Sequence, residues 1–144
     1  MIKIDQELIA ELLDQASVTP RLRQNYDLRT SKNDGGQRML NALMPRTKVP
    51  IHRHPNSNEN VLLLYGKLDE VFFDENVIEI ERIHLDPTVG SFGCVVPAGM
   101  WHTVEALEPS VIFEAKDGKY EEDGSESFDE FIAKKNNPDT SSLI

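Results

Sequence analysis

Ile51-His52-Arg53-His54-Pro55, followed by Glu59 and Gly66, and then Pro97-Ala98-Gly99-Met100-Trp101-His102, is the part of the sequence that decides the fold. In a strand, side chains two apart lie on one face. His52 and His54 are therefore expected to aim two imidazoles at one point. Pro55 offers no N–H to a strand ladder and ends the strand, so a short loop can return the Glu59 carboxylate to that point. His102 adds a third imidazole from a distant strand. Three nitrogens and one oxygen suit a divalent transition metal such as iron, nickel, manganese or zinc. The expected site is one metal per chain, held by His52, His54, Glu59 and His102. His84 has no motif around it and is expected on the outer face of a strand.

Around this stretch the pattern is β. Strands are expected near 37–44, 47–54, 60–65, 67–73, 77–85, 92–96, 101–107 and 110–116. Tyr65-Gly66-Lys67 reads as a tight connection, because glycine accepts a positive φ. Eight short strands with frequent turns argue for a closed or sandwich-like architecture. Residues 5–17 differ: Leu8, Ile9, Leu12, Leu13 and Ala16 form one helical stripe behind an Asp5 N-cap, stopped by Pro20. That helix is expected on the barrel exterior or against a second subunit. Residues 21–36 show no clear period. A short helix is expected around Ser127–Lys135, carrying Phe128, Phe131 and Ile132.

The spacing resembles the two cupin motifs. Four residues separate His54 from Glu59 and six separate Glu59 from Gly66, as in the first motif. Pro97, Gly99 and His102 fit the second. The departures are Arg46 in place of the leading glycine, Gly90 one residue early, and Ala106 in place of an asparagine. A narrower resemblance, to WbuC-type cupin metalloproteins, rests on Pro20-Arg21-Leu22-Arg23-Gln24-Asn25, Gln37-Arg38-Met39-Leu40-Asn41-Ala42-Leu43, Ile51–Pro55, Trp101-His102-Thr103-Val104 and Glu114-Ala115-Lys116 with Gly118 and Tyr120. That family is associated with bacterial surface-polysaccharide gene clusters. The resemblance implies an all-β cupin (double-stranded β-helix, or jelly-roll) barrel with an N-terminal α-helix, at residues 1–131, before a polar, flexible tail at 132–144. It also implies a small-molecule ligand, with Arg38, Asn41, Asn25, Tyr26, Lys116 and Tyr120 as substrate contacts. Arg38 and Asn41 are three apart, so a regular strand places them on opposite faces. Asn41 goes with Met39 and Gln37, and Arg38 with Leu40.

Composition narrows the function. The chain has 144 residues and a formal net charge of −10, which argues against a nucleic-acid or anionic-membrane surface. A small anionic ligand still has a place where arginines converge locally. The lone Cys94 permits no internal disulfide and reads as a small core residue. No signal pattern or membrane-length apolar run occurs, so the expected location is the cytoplasm. No G-x-S-x-G elbow or phosphate loop stands out, so any chemistry is expected to centre on the metal. Two readings follow: a metal-dependent enzyme of carbohydrate or surface-polysaccharide metabolism, or a non-catalytic binding or sensor protein. The expected assembly is a homodimer.

Overall fold

A computed structural model describes residues 1–119 and 124–136. The chain runs α1 (Gln6–Val18), β1 (Arg23–Asp27), β2 (Gly36–Leu43), β3 (His52–Arg53), β4 (Glu59–Tyr65), β5 (Leu68–Phe73), β6 (Glu79–Leu85), β7 (Gly93–Val96), β8 (Trp101–Ala106), β9 (Ser110–Asp117), β10 (Glu126–Ser127) and α2 (Phe128–Asn136). Two five-stranded antiparallel sheets form, in the orders β1-β2-β9-β4-β7 and β10-β3-β8-β5-β6. This is the all-β cupin jelly roll, with the helix at its N-terminus.

Strand alternation divides the interior. Leu43, Val61, Leu63, Leu68, Phe72, Leu85, Val96, Ala106 and Ile112 form the core between the sheets. A second core lies under α1, where Leu12 and Ala16 bury against Leu40, Ala42 and Val111. Burying a leucine such as Leu12 contributes about 1.5–3 kcal/mol. Asp5 caps α1 as expected, its Oδ1 accepting from the Leu8 N–H at 3.0 Å. The helix stripe is thus covered by the chain's own first sheet.

Gly66 shows why the β4–β5 connection needs glycine. Its φ is +98°, and a Cβ there would collide with the Pro109 carbonyl and Ser110.

Three expectations need correction. The strand expected at 47–54 contracts to His52–Arg53, because Pro50 and Pro55 bracket it and neither can donate to a ladder. His54 therefore lies just beyond the strand. Residues 23–27, read as having no period, form the edge strand β1. Its faces carry mixed polar residues, so alternation gave no signal. Ten strands stand among the described residues where eight are expected. The last helix, at Phe128–Asn136, falls within one residue of the expected Ser127–Lys135. Tyr120 and the tail beyond Asn136 lie outside the described residues. No helix among the described residues is long and apolar enough to cross a membrane.

Candidate metal centre

The two histidine segments meet by strand pairing. His52 and His102 are direct partners across β3 and β8, with ring centroids 4.2 Å apart. His54 stands 5.0 Å from His52 and 5.3 Å from His102. The Gly99 N–H donates to the His54 carbonyl at 3.0 Å, tying the second loop to the first.

Hydrogen bonds orient the rings. Nδ1 of His52 faces the Pro50 carbonyl at 2.8 Å, and Nδ1 of His102 faces the Met100 carbonyl at 2.9 Å. A carbonyl only accepts, so each Nδ1 carries the proton and each Nε2 is left as a lone-pair donor. Nδ1 of His54 lies 2.6 Å from Ser125 Oγ. Glu59 opens β4, with Oε2 3.0 Å from His54 Nε2 and Oε1 4.0 Å from His102 Nε2.

These residues fit a divalent metal. Donor atoms of His52, His54 and His102 lie within 4.8 Å of one another. His102 Nε2 is buried without a hydrogen-bond partner among the described residues, a costly arrangement unless a ligand completes it. The His52 and His102 rings also favour the neutral form that a metal needs. Burial, and then the neighbouring His102, push the His52 pKa down to about 3. Burial lowers that of His102 as well. Burial works to raise Glu59, but the His54 hydrogen bond, His102 and Lys116 outweigh it and leave it lowered, to about 2.

A cavity of about 190 Å³ opens on these residues. Its walls hold two acids that the sequence reading passed over, Glu70 and Glu114. Glu70 points inward from β5 with Leu68 and Phe72. It is fully buried, and neither of its carboxyl oxygens has a hydrogen-bond partner among the described residues. Burial, then the charges of Glu59 and Glu114, push its pKa well above the usual carboxylate range. Burial and Glu59 raise Glu114 to about 8, against the opposing influence of Lys116 and Asn41. Glu59, Glu70 and His102 form a second group with donor atoms within 4.8 Å. The available signal was a glutamate at an inward position of the otherwise buried β5 strand.

The expected substrate contacts divide. Asn25, Asn41 and Lys116 line the cavity, and Lys116 Nζ is 3.6 Å from Glu59. Gln37 and Met39 share the Asn41 face, as period-two spacing required. Arg38 faces away and pairs with Asp34. Tyr26 packs into the core under α1. His84 is outside the cavity and bonded to Asp69 at 2.6 Å. Cys94 packs against the barrel core, and burial pushes its thiol up to about 12.

The architecture defines the fold class as cupin. The chain belongs to the family described as Domain of unknown function (DUF6016), whose model matches residues 4–85. No curated protein matches the sequence. Among solved structures it is similar to an oxalate oxidase in complex with the substrate analogue glycolate, with a TM-score of 0.61 and 14% identity over 78% of this chain and 58% of that one. It is similar to CapF with the inhibitor 3-isopropenyl-tropolone, at 0.63 and 21% over 76% and 32%. A third is Bacillus subtilis oxalate decarboxylase, described for its Mn(II) centres, at 0.59 and 21% over 77% and 29%. At such identities the likeness establishes the fold. The chain spans between 29% and 58% of the length of these neighbours.

Proposed function

We propose that this chain is a divalent-metal-dependent cupin enzyme acting on a small, oxygen-rich, sugar-related molecule, with His52, His54, Glu59 and His102 as the metal ligands. The observation that carries the reading is the buried Glu70 carboxyl, without a hydrogen-bond partner among the described residues and grouped with Glu59 and His102. A binding or sensor module needs orienting donors, whereas acid–base chemistry needs a proton carrier within reach of the reacting oxygen. Glu70 and Glu114 supply that carrier, which favours the enzyme.

When bound, iron, nickel, manganese or zinc would supply Lewis acidity at a substrate oxygen. The protein's own residues do the rest. His52 and His102 present fixed Nε2 lone pairs. Lys116 offsets the Glu59 charge. Glu70 holds a proton on a carboxyl oxygen inside the cavity, ready for transfer to a departing or developing oxyanion. The likeness to WbuC-type cupins supports a substrate from surface-polysaccharide metabolism, and the single cysteine suits the cytoplasm.

The reading includes a homodimer. Leu62, Leu64, Phe92 and Val95 are exposed on the outer side of the β4–β7 edge, and a second copy is the occupant proposed for that face. Light scattering on wild type and Leu62→Glu tests it, and a monomeric wild type would reject it.

Elemental analysis of purified protein, with a metabolite-turnover screen on the metal-loaded form, tests the main reading. About one metal per chain is expected, with strong loss in His52→Ala and in His102→Ala. Full occupancy in both variants would overturn the ligand assignment.

A further inference from the structure

The cavity has a basic end. Arg21 and Arg23 both line it, along with the candidate ligands, Glu70 and Glu114. Arg21 is exposed and Arg23 half-buried, while Glu70 and His102 are buried, so the arginines mark the open end and the acids the floor.

Neither arginine forms an ion pair with a carboxylate among the described residues. Arg23 donates to the Lys48 carbonyl at 2.8 Å. Of the chain's five other arginines, Arg46 alone likewise has no carboxylate partner among the described residues. Arg29, Arg38, Arg53 and Arg82 each hold a carboxylate, those of Asp27, Asp34, Glu126 and Glu79. The two guanidiniums are also close enough to repel. Burial, and then the Arg21 charge, lower the Arg23 pKa.

The backbone between them is held in an uncommon conformation. Leu22 has φ +58°, in the left-handed region that a branched side chain seldom adopts. The Leu22 N–H donates to the Thr19 carbonyl at 3.1 Å, and its own carbonyl accepts from Met44 at 3.0 Å. This tight turn carries both flanking arginines to one cavity.

Two like charges converging without an acid are stabilised by an anion, and a guanidinium pairs carboxylate or phosphate oxygens two at a time. We propose that Arg21 and Arg23 form an anion-recognition pair, and that the cavity's ligand bears a carboxylate or phosphate at the end opposite its metal-directed oxygens. The inference rests on the proposed metal-dependent reading for its inner end only. The cavity is smaller than the ~300–1,000 Å³ of drug-sized sites, so the ligand is a small acid or a small phosphorylated polyol.

The test uses three probes on one carbon skeleton: glycerate, glycerol 3-phosphate and glycerol. Each is titrated calorimetrically into the full chain, metal-loaded and metal-free, with metal content measured on every sample. Glycerate or glycerol 3-phosphate should bind wild type at least about tenfold more tightly than glycerol, and the better of the two identifies carboxylate or phosphate. Arg21→Gln and Arg23→Lys should each lose most of that preference and keep wild-type metal content. Arg21→Gln is the safer variant for folding, because its side chain is exposed. If the variants keep the preference, if glycerol binds as well as the anions, or if no probe binds, the proposal fails. If the chain proves to hold no metal yet the preference persists and disappears in the variants, the arginine pair stands and the metal-dependent reading falls.

Discussion

Ser125 Oγ stands 2.6 Å from Nδ1 of His54, across 71 residues of chain. Held at that hydroxyl, the ring turns its Nε2 toward Glu59, 3.0 Å away. The contact belongs to a strap. Arg53 pairs with Glu126, the Phe128 N–H donates to the Ile51 carbonyl at 2.7 Å, and the Arg53 guanidinium lies 4.3 Å above the Trp101 ring. The segment after residue 123 thus braces the His52-Arg53-His54 stretch from behind.

Removing that hydroxyl should loosen the site without unfolding the barrel. Partners of metal-bound histidines typically contribute about 10–100-fold in affinity. Ser125→Ala is expected to weaken metal binding within that range, measured by competition with a chelator. Unchanged affinity would show that the contact does not orient a ligand.

The strap should also carry stability. Phe128 and Phe131 pack on Trp101 at centroid distances of 5.2 and 5.5 Å. Phe131 is only half-buried, so Phe131→Ala should cost roughly 1–3 kcal/mol, below the range for a full core truncation. Urea unfolding reads this directly. A chain ending at Asn136 should match the full-length chain in metal content and melting temperature, and a large drop in either would make the tail part of the domain.

Acid should destabilise the metal-free protein over a defined window. The unfolded His52 takes up a proton near pH 6.5, whereas the folded ring resists until about pH 3. Between those values the unfolded state binds more protons, so stability falls as pH falls. Glu59, also held low, acts in the same direction below pH 4.5. His52→Gln should flatten the slope of unfolding free energy against pH between about 6.5 and 3. An unchanged slope would mean that the ring is not held neutral. The same low pKa implies that metal survives mild acid better than a free-imidazole site would.

Glu70 should behave in the opposite sense. Its folded pKa is raised, so the native state keeps a proton that the unfolded chain releases near pH 4.5. Stability is therefore lost as pH rises above that value. Glu70→Gln is expected to stabilise the metal-free protein at neutral pH by on the order of 1 kcal/mol while abolishing turnover. A variant that is less stable than wild type at pH 8 and still active would remove Glu70 from its proposed role.

Motif spacing made much of this legible. The imidazoles of His52, His54 and His102 lie together with Glu59 beside them, although His54 stands just past the short strand that the two-residue repeat predicted. Period-two logic likewise separated Asn41 from Arg38. What stayed hidden depends on long-range placement. β1 is an edge strand whose faces carry mixed polar residues, so alternation could not reveal it. Glu70 read as one charge among many until the barrel closed around it. Arg21 and Arg23 flank a left-handed leucine, a conformation that no residue preference would suggest. Ser125 reaches His54 only through the strap.

Trp101 gives the molecule a built-in optical reporter. It is the only tryptophan in the chain, it is 1% exposed, and His102 follows it directly. Its emission should begin blue-shifted and free of interference from any other indole. An open-shell ion arriving at His102 would quench that emission, whereas closed-shell zinc would leave most of it. Loosening of the strap would instead shift its colour toward red. One cuvette would therefore separate filling of the site, the class of ion filling it, and release of the brace behind it.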